Sequence, residues 1–201
     1  MYKAASANKN SFLFTKWLIL KWHQKFKNNM EYTELIRIRE SIRNYDPDRP
    51  VPYEVMSKIL DAGRLAPSAC NYQPWKFLVI SSSEMLKKVK NCYRREWLSN
   101  APHILIIIGL KDKAWTRSYD GYNSLETDVA IAMTHIILAA TNEGVGTCWI
   151  AAYDPALLRE ALGLDEKQMI YSITPLGYPK AGYKKSAIKN RNPVEEVVEF
   201  L

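Results

Sequence analysis

Ile104-Leu105-Ile106-Ile107-Ile108-Gly109-Leu110 is the stretch on which the fold turns. An aliphatic run this short, with no polar alternation, predicts a strand buried on both faces. Upstream of it, Phe77–Ser81 reads as a second strand and Glu84–Cys92 as a helix. Downstream comes the longest element, a helix over Asp120–Glu143. In it Val129, Ala132, Met133, Ile136, Ile137 and Ala140 recur at helical spacing, and Gly144 stands at the C′ position. Its alanines make it slim, and its length and apolar character predict a place at a subunit interface. Thr147–Ala151 reads as a strand, Pro155–Leu162 as a helix and Met169–Leu176 as a strand. Towards the N-terminus, Tyr32–Glu40 and Pro52–Leu65 read as helices, the second ended by Ala66-Pro67-Ser68, because proline disfavours helical geometry in the residue before it. The tail, Pro193–Leu201, fits a short helix or an extended arm. Helices and strands alternate without a regular βαβ rhythm, so the class expected is α+β with one mixed sheet.

The chain has 201 residues, 47% of them hydrophobic, which is enough for one domain with its own core and no need of disulfides or metal. Its net charge of +7 suggests a polyanion partner until the charge is located. Residues 1–29 hold Lys3, Lys9, Lys16, Lys21, Lys25 and Lys27 and no Asp, Glu or Arg, so six of the seven units sit there. A division follows: a basic and apolar extension over residues 1–29 and a nearly neutral domain over residues 30–201. Phe14, Leu18, Trp22 and Phe26 allow one helical stripe in the extension, but Lys16 interrupts the apolar region and no small-residue cleavage site follows Leu20. A basic helix on an anionic membrane surface is one reading. An upstream extension without catalytic role, or a start assigned too early with Met30 as the true beginning, is the favoured one. Nucleic-acid binding is not expected, since the segment has no arginine and no recognition motif. Cys70, Cys92 and Cys148 are odd in number and far apart, and His23, His103 and His135 are equally isolated, so neither a disulfide framework nor a metal site is expected. The chain reads as cytoplasmic and reduced, with His135 a core histidine.

No GxSxG, GxxxxGK[ST] or HExxH motif is present, and Gly144-Val145-Gly146 follows a helix without a third glycine. Four segments carry polar chemistry. Arg39-Glu40-Ser41-Ile42-Arg43 sets two guanidinium groups about a hydroxyl, and in extended backbone Arg39, Ser41 and Arg43 share a face that suits one anion. Ala66-Pro67-Ser68-Ala69-Cys70-Asn71-Tyr72-Gln73-Pro74-Trp75 is a proline-bracketed loop with a hydroxyl and two carboxamides, groups that match the mixed edge of a heterocycle. Gly146-Thr147-Cys148-Trp149-Ile150-Ala151-Ala152 has small residues that let a flat ligand approach the backbone. Lys189-Asn190-Arg191 adds a basic pair. Each alone is also what a solvated cluster or a packed polar turn looks like.

In this order, RxSxR, APSxxNxQPW, GxGTCWI and KxR resemble the signature of the nitroreductase-like flavoprotein family, over about Glu31–Val198. The resemblance implies an FMN-binding homodimer with a mixed central sheet flanked by helices and each flavin at the dimer interface. By matching motif, Arg39, Ser41, Arg43, Lys189 and Arg191 would hold the phosphate and ribityl chain. Ser68, Asn71 and Gln73 would reach the cofactor from the second subunit. Backbone at Trp149, Ile150 and Ala151 would line the ring, with Cys148 a small packed residue beside it. The implied activity is ping-pong: NADH or NADPH passes hydride to the flavin, and a nitroaromatic, quinone or related acceptor takes it away. No side chain is nominated as catalytic, because the cofactor carries the redox chemistry. Enoate reduction, dehalogenation, azoline oxidation or flavin binding without rapid turnover remain alternatives. Only about ten residues separate Leu110 from Asp120, including Trp115, Arg117 and Tyr119, where larger members insert helices that choose the substrate.

Overall fold

The structure, a computed structural model, describes residues 31–185 and 189–201. The chain divides into residues 1–37 and 38–201. The readings made above for residues 1–29, a peripheral helix or an extension without role, lie outside the described residues. Of the first unit the described part is the beginning of α1 (Tyr32–Ile38), which has no buried residue.

The second unit is built on β1 (Trp75–Ile80), β2 (His103–Leu110), β3 (Gly146–Thr147) and β4 (Gln168–Gly177), in the order β1-β2-β4-β3. With them run α2 (Tyr53–Arg64), α3 (Ser83–Lys90), α4 (Glu96–Ser99), α5 (Leu125–Asn142), α6 (Pro155–Leu162) and α7 (Val194–Val197). β2 is central, and Ile104 to Ile108 are fully buried, as the aliphatic run predicts. Ile104, Ile106 and Ile108 pack with Leu86, Val89, Leu98 and Leu158 from α3, α4 and α6. Leu105 and Ile107 pack with Ile59 of α2 and Val129, Met133 and Ile136 of α5. Helices on both faces explain the missing polarity alternation: each buried aliphatic side chain contributes about 1.5–3 kcal/mol, whichever way it points. All three strand pairings are antiparallel. The sheet is mixed at one place, a parallel bridge between Ser41 and Thr147.

α6 has the predicted bounds, since the Asp154 carboxylate accepts from the amides of Ala156 (2.9 Å) and Leu157 (3.1 Å) and Pro155 follows it. Two expected elements are shorter by several residues. α5 begins at Leu125, not Asp120, because residues 115–124 close a tight hairpin. Arg117 N–H donates to the Tyr122 carbonyl (2.8 Å), Gly121 turns the chain at φ +75, and Asp120 pairs with Arg117 (2.6 Å) instead of leading a helix. The strand expected over Thr147–Ala151 ends its ladder at Thr147 and resumes as a single bridge, Ile150 to Ile173. The two pieces share one register, which sets Pro175 opposite Cys148. Ile150 and Ile173 exchange both backbone bonds, so the amide two residues on would serve the same side, and proline has none. The tail combines both expected forms, α7 followed by non-helical residues to Leu201.

Candidate functional site

After α1 the chain runs extended beside β3. Ile42 N–H donates to the Thr147 carbonyl at 2.8 Å, and Asp46 N–H to that of Tyr178 at 2.9 Å. Ile42 and Tyr45 are buried and anchor this strap, with the Tyr45 hydroxyl donating to the Ile42 carbonyl at 2.7 Å. Burial holds the Tyr45 phenol well above its ordinary 10.0. Close approach is possible because residue 146 is glycine: a Cβ there would stand 2.8 Å from Ile42 Cγ1.

Ile42 therefore points inward, and Arg39, Ser41 and Arg43 occupy the alternate positions. Lys189 Nζ donates to the Arg39 carbonyl, which brings the fourth basic segment to the first across most of the chain. Partial burial, then the like charges of Arg39 and Arg191, pull the Lys189 ammonium below its ordinary value, against the opposite influence of Glu40. The ion pairs among the described residues, Lys58–Glu143, Arg64–Asp61, Lys88–Glu84 and Arg117–Asp120, take up neither Arg39, Arg43 nor Arg191. The Cys148 thiol reaches Ser41 and Arg43. Burial pushes it up, and the Arg43 charge pulls it back only in part, so it is a packed, protonated thiol.

Arg39 and Ser41 open into a cleft of about 240 Å³, lined also by Thr134, Ile137 and Leu138 of α5 and by Thr147 and Trp149. The cleft is cationic at one end and apolar along its wall. Trp149 is 37% exposed and meets Tyr171 edge-on at 5.6 Å between ring centroids. Ala151 is exposed. Ile150 differs from its neighbours: its side chain is buried and its amide and carbonyl both bond Ile173, at 3.0 and 3.2 Å, so its one donor is committed to the sheet.

Ser68, Asn71 and Gln73 form a second group. Gln73 N–H donates to Ser68 Oγ at 2.9 Å, and Gln73 Nε2 donates to the carbonyl and side-chain oxygens of Asn71, both at 3.2 Å. Cys70, Asn71 and Gln73 all have left-handed φ, at 51, 56 and 49. Such backbone costs on the order of 1–3 kcal/mol per residue and persists only where other contacts over-determine it. This loop is tied to the first turn of α5, where Ala69 N–H donates to Asp128 Oδ1 at 2.9 Å. The cleft lies along the C-terminal half of the same helix. From Asp128 to Ile137 the helix rises about 14 Å, and the cleft includes none of Ser68, Asn71 and Gln73. The motifs thus assemble into two groups: Arg39, Ser41, Arg43, Lys189, Arg191 and Trp149 in one, and Ser68, Asn71 and Gln73 in the other.

Asp128, Tyr171 and the α5 residues of the cleft were not among the expected site residues. Tyr171 is set beside a shift in register between β2 and β4, which no local pattern announces. The other two histidines are accounted for. His103 accepts the Val51 N–H at Nε2 (3.0 Å) and meets Ser81 Oγ at Nδ1 (2.8 Å), while His135 is half-buried on α5 and not in the core. The three cysteines are free. Among the described residues no group of His, Cys, Asp and Glu is arranged to hold a metal, and no helix is long and apolar enough to cross a membrane.

Comparison with known proteins identifies an NAD(P)H-dependent oxidoreductase. The sequence model of the nitroreductase family matches residues 36–94 and 84–178. A Bacillus subtilis protein named as an NAD(P)H nitroreductase is 46% identical over 205 residues, covering 85% of this chain and 97% of its own length. The chain belongs to the nitroreductase family. Among solved structures, a nitroreductase family protein of Clostridium difficile 630 is 32% identical with a TM-score of 0.78, over 85% of this chain and 98% of its own. A structure named FMN-dependent nitroreductase, from Clostridium difficile R20291, is 29% identical with a TM-score of 0.68, over 83% and 96% of the two chains. A Caenorhabditis elegans iodotyrosine dehalogenase homologue is 25% identical, over 87% of this chain and 62% of its own.

Proposed function

We propose that this protein is an FMN-dependent NAD(P)H oxidoreductase that reduces nitroaromatic, quinone or related acceptors. The observation that carries the proposal is a basic group: Arg39 and Ser41 at the mouth of a cleft walled by Trp149, Lys189 and Arg191 beside Arg39, and Arg43 beside Ser41 at Cys148. A phosphomonoester carries about −1.5 to −2 charge at neutral pH, and each charge-assisted hydrogen bond to it contributes roughly 1.5–3 kcal/mol. Guanidinium forks match its oxygens, and an anion would offset the depression of the Lys189 ammonium by burial and then by its cationic neighbours. FMN, when bound, would supply the redox chemistry that links NADH or NADPH as hydride donor to the acceptor.

The chain's own residues bind and orient. Arg39, Ser41, Arg43, Lys189 and Arg191 would hold the phosphate and ribityl end, and backbone at Trp149, Ile150 and Ala151 would line the ring. Ser68, Asn71 and Gln73 would reach the flavin of a second copy. Support for a homodimer comes from α5, whose outer positions Ala130, Ile131, Ile137 and Leu138 stay partly exposed on a helix apolar around most of its circumference.

The purified protein is expected to be yellow, to bleach on NADH or NADPH, and to recover its colour on a nitroaromatic or quinone. A colourless chain that takes up no FMN overturns the proposal. A flavin that neither nucleotide reduces would favour a flavin-binding role. The dehalogenase homologue makes reductive dehalogenation a second reading, favoured if halogenated aromatics alone reoxidise the flavin.

A further inference from the structure

Asp128 is only 2% exposed, and its two carboxylate oxygens serve two different loops. Oδ1 accepts the Ala69 N–H at 2.9 Å, and Oδ2 accepts the Ser124 hydroxyl at 2.7 Å. Ser124 in turn closes the 115–124 hairpin, its N–H donating to the Trp115 carbonyl at 2.9 Å, and its own carbonyl accepts the Asp128 N–H at 2.9 Å. One buried carboxylate therefore bonds both segments that meet the N-terminal end of α5.

The need for such a bond lies in the loop. Cys70, Asn71 and Gln73 have φ of 51, 56 and 49, a shape that Asn adopts at times but that Cys and Gln do not hold by local preference. The bonds from Gln73 to Ser68 and from Tyr72 N–H to the Ala69 carbonyl (3.1 Å) are internal to the loop and do not fix its place on the body. At its far end Leu110 N–H donates to the Pro74 carbonyl at 2.8 Å. At its near end the Asp128 carboxylate does the same work, and an apolar side chain in its place would leave two buried donors without an acceptor.

We propose that Asp128 is a positioning residue, which sets Ser68, Asn71 and Gln73 for the cofactor and couples their loop to the 115–124 hairpin so that the two move together. This rests on the proposed flavin role of those three residues. The rival role is purely structural, a negative charge that stabilises the start of α5 through the helix dipole.

The full chain, its Asp128→Asn variant and its Asp128→Ala variant separate the two by hydrogen exchange and FMN titration. Asparagine keeps an acceptor for Ala69 and can donate to the Ser124 hydroxyl, but lacks the charge. Asp128→Ala is expected to speed exchange at residues 69–73 and 116–124 about tenfold and to raise the FMN dissociation constant by about tenfold. Peptides from β2 and the C-terminal half of α5 are expected to stay unchanged, and Asp128→Asn to remain within about threefold of the wild type in both measurements. The proposal is overturned if Asp128→Ala binds FMN as the wild type does, if Asp128→Asn is as impaired as Asp128→Ala, or if exchange rises evenly across the fold. A wild-type chain that takes up no FMN overturns the proposed function instead, and the exchange comparison then decides the clamp alone.

Discussion

Arg39 and Arg43 are the residues whose roles depend least on the rest of the molecule. Alternation in extended backbone puts them on one face, and the Ile42–Thr147 bond keeps the backbone extended. Each would contribute a charge-assisted bond to the phosphate, so Arg39→Ala or Arg43→Ala should weaken FMN by roughly ten- to a hundredfold, with little effect on thermal stability. Flavin fluorescence titrations at two salt concentrations check this, since the wild type should lose more affinity in high salt than either variant. Their common face was legible in the sequence, because alternation in extended backbone depends on spacing alone. The bonding of the Ile150 backbone was not, since it depends on Ile173, a partner 23 positions away that only the sheet register identifies. Asp128 was hidden for the same reason, because an acidic residue near a helix start usually needs no explanation beyond the dipole.

Among the elements, the extended strap and β3 show how tightly the site is joined to the sheet. A Cβ at Gly146 would meet Ile42 at Cγ1 (2.8 Å), Cβ (2.9 Å) and Cγ2 (3.0 Å), and the Cβ cannot yield without moving the strap. Gly146→Ala should therefore cost about 1–3 kcal/mol by overpacking and weaken FMN through displaced arginines. Ile42→Ala in the same chain should relieve part of both losses, and a double-mutant cycle in thermal unfolding and FMN affinity measures that coupling. β2 is fastened at its first residue by His103, which burial holds below its ordinary value of 6.5. The unfolded chain then takes up the proton first as pH falls, so stability is full above about pH 6.5 and declines as pH drops through that value towards the folded one. The unfolding midpoint should be level from neutral to mildly alkaline pH and fall below that point, less steeply in His103→Gln. The long aliphatic and amphipathic elements were legible in the sequence, because periodicity reports burial. The start of α5 and the break in β3 were not, since one depends on an Arg117–Asp120 pair inside a hairpin and the other on a proline in a neighbouring strand.

For the molecule as a whole, net charge is a poor guide to its partner, since residues 1–29 hold six of the seven positive units. Outside them, what matters is the basic group about Arg39, at one end of a cleft, and the distance from there to the carboxamide loop. The cleft lies along the C-terminal half of α5 and the loop is tied to its first turn. If each flavin is held by the cations of one chain and the loop of another, the two groups are separable by mutation and can be recombined. Chains carrying Arg39→Ala with Arg43→Ala, and chains carrying Asn71→Ala with Gln73→Ala, should each bind FMN weakly. Unfolded together in equal amounts and refolded, half of the dimers pair one chain of each kind. In these, one site joins both defects and the other joins intact cations to an intact loop. About a quarter of all sites should therefore regain wild-type affinity, as two-fold symmetry requires. A titration of the mixture should then show a tight phase of that amplitude that neither variant shows alone. A mixture that binds as the plain average of its two components would mean that each chain builds its site by itself.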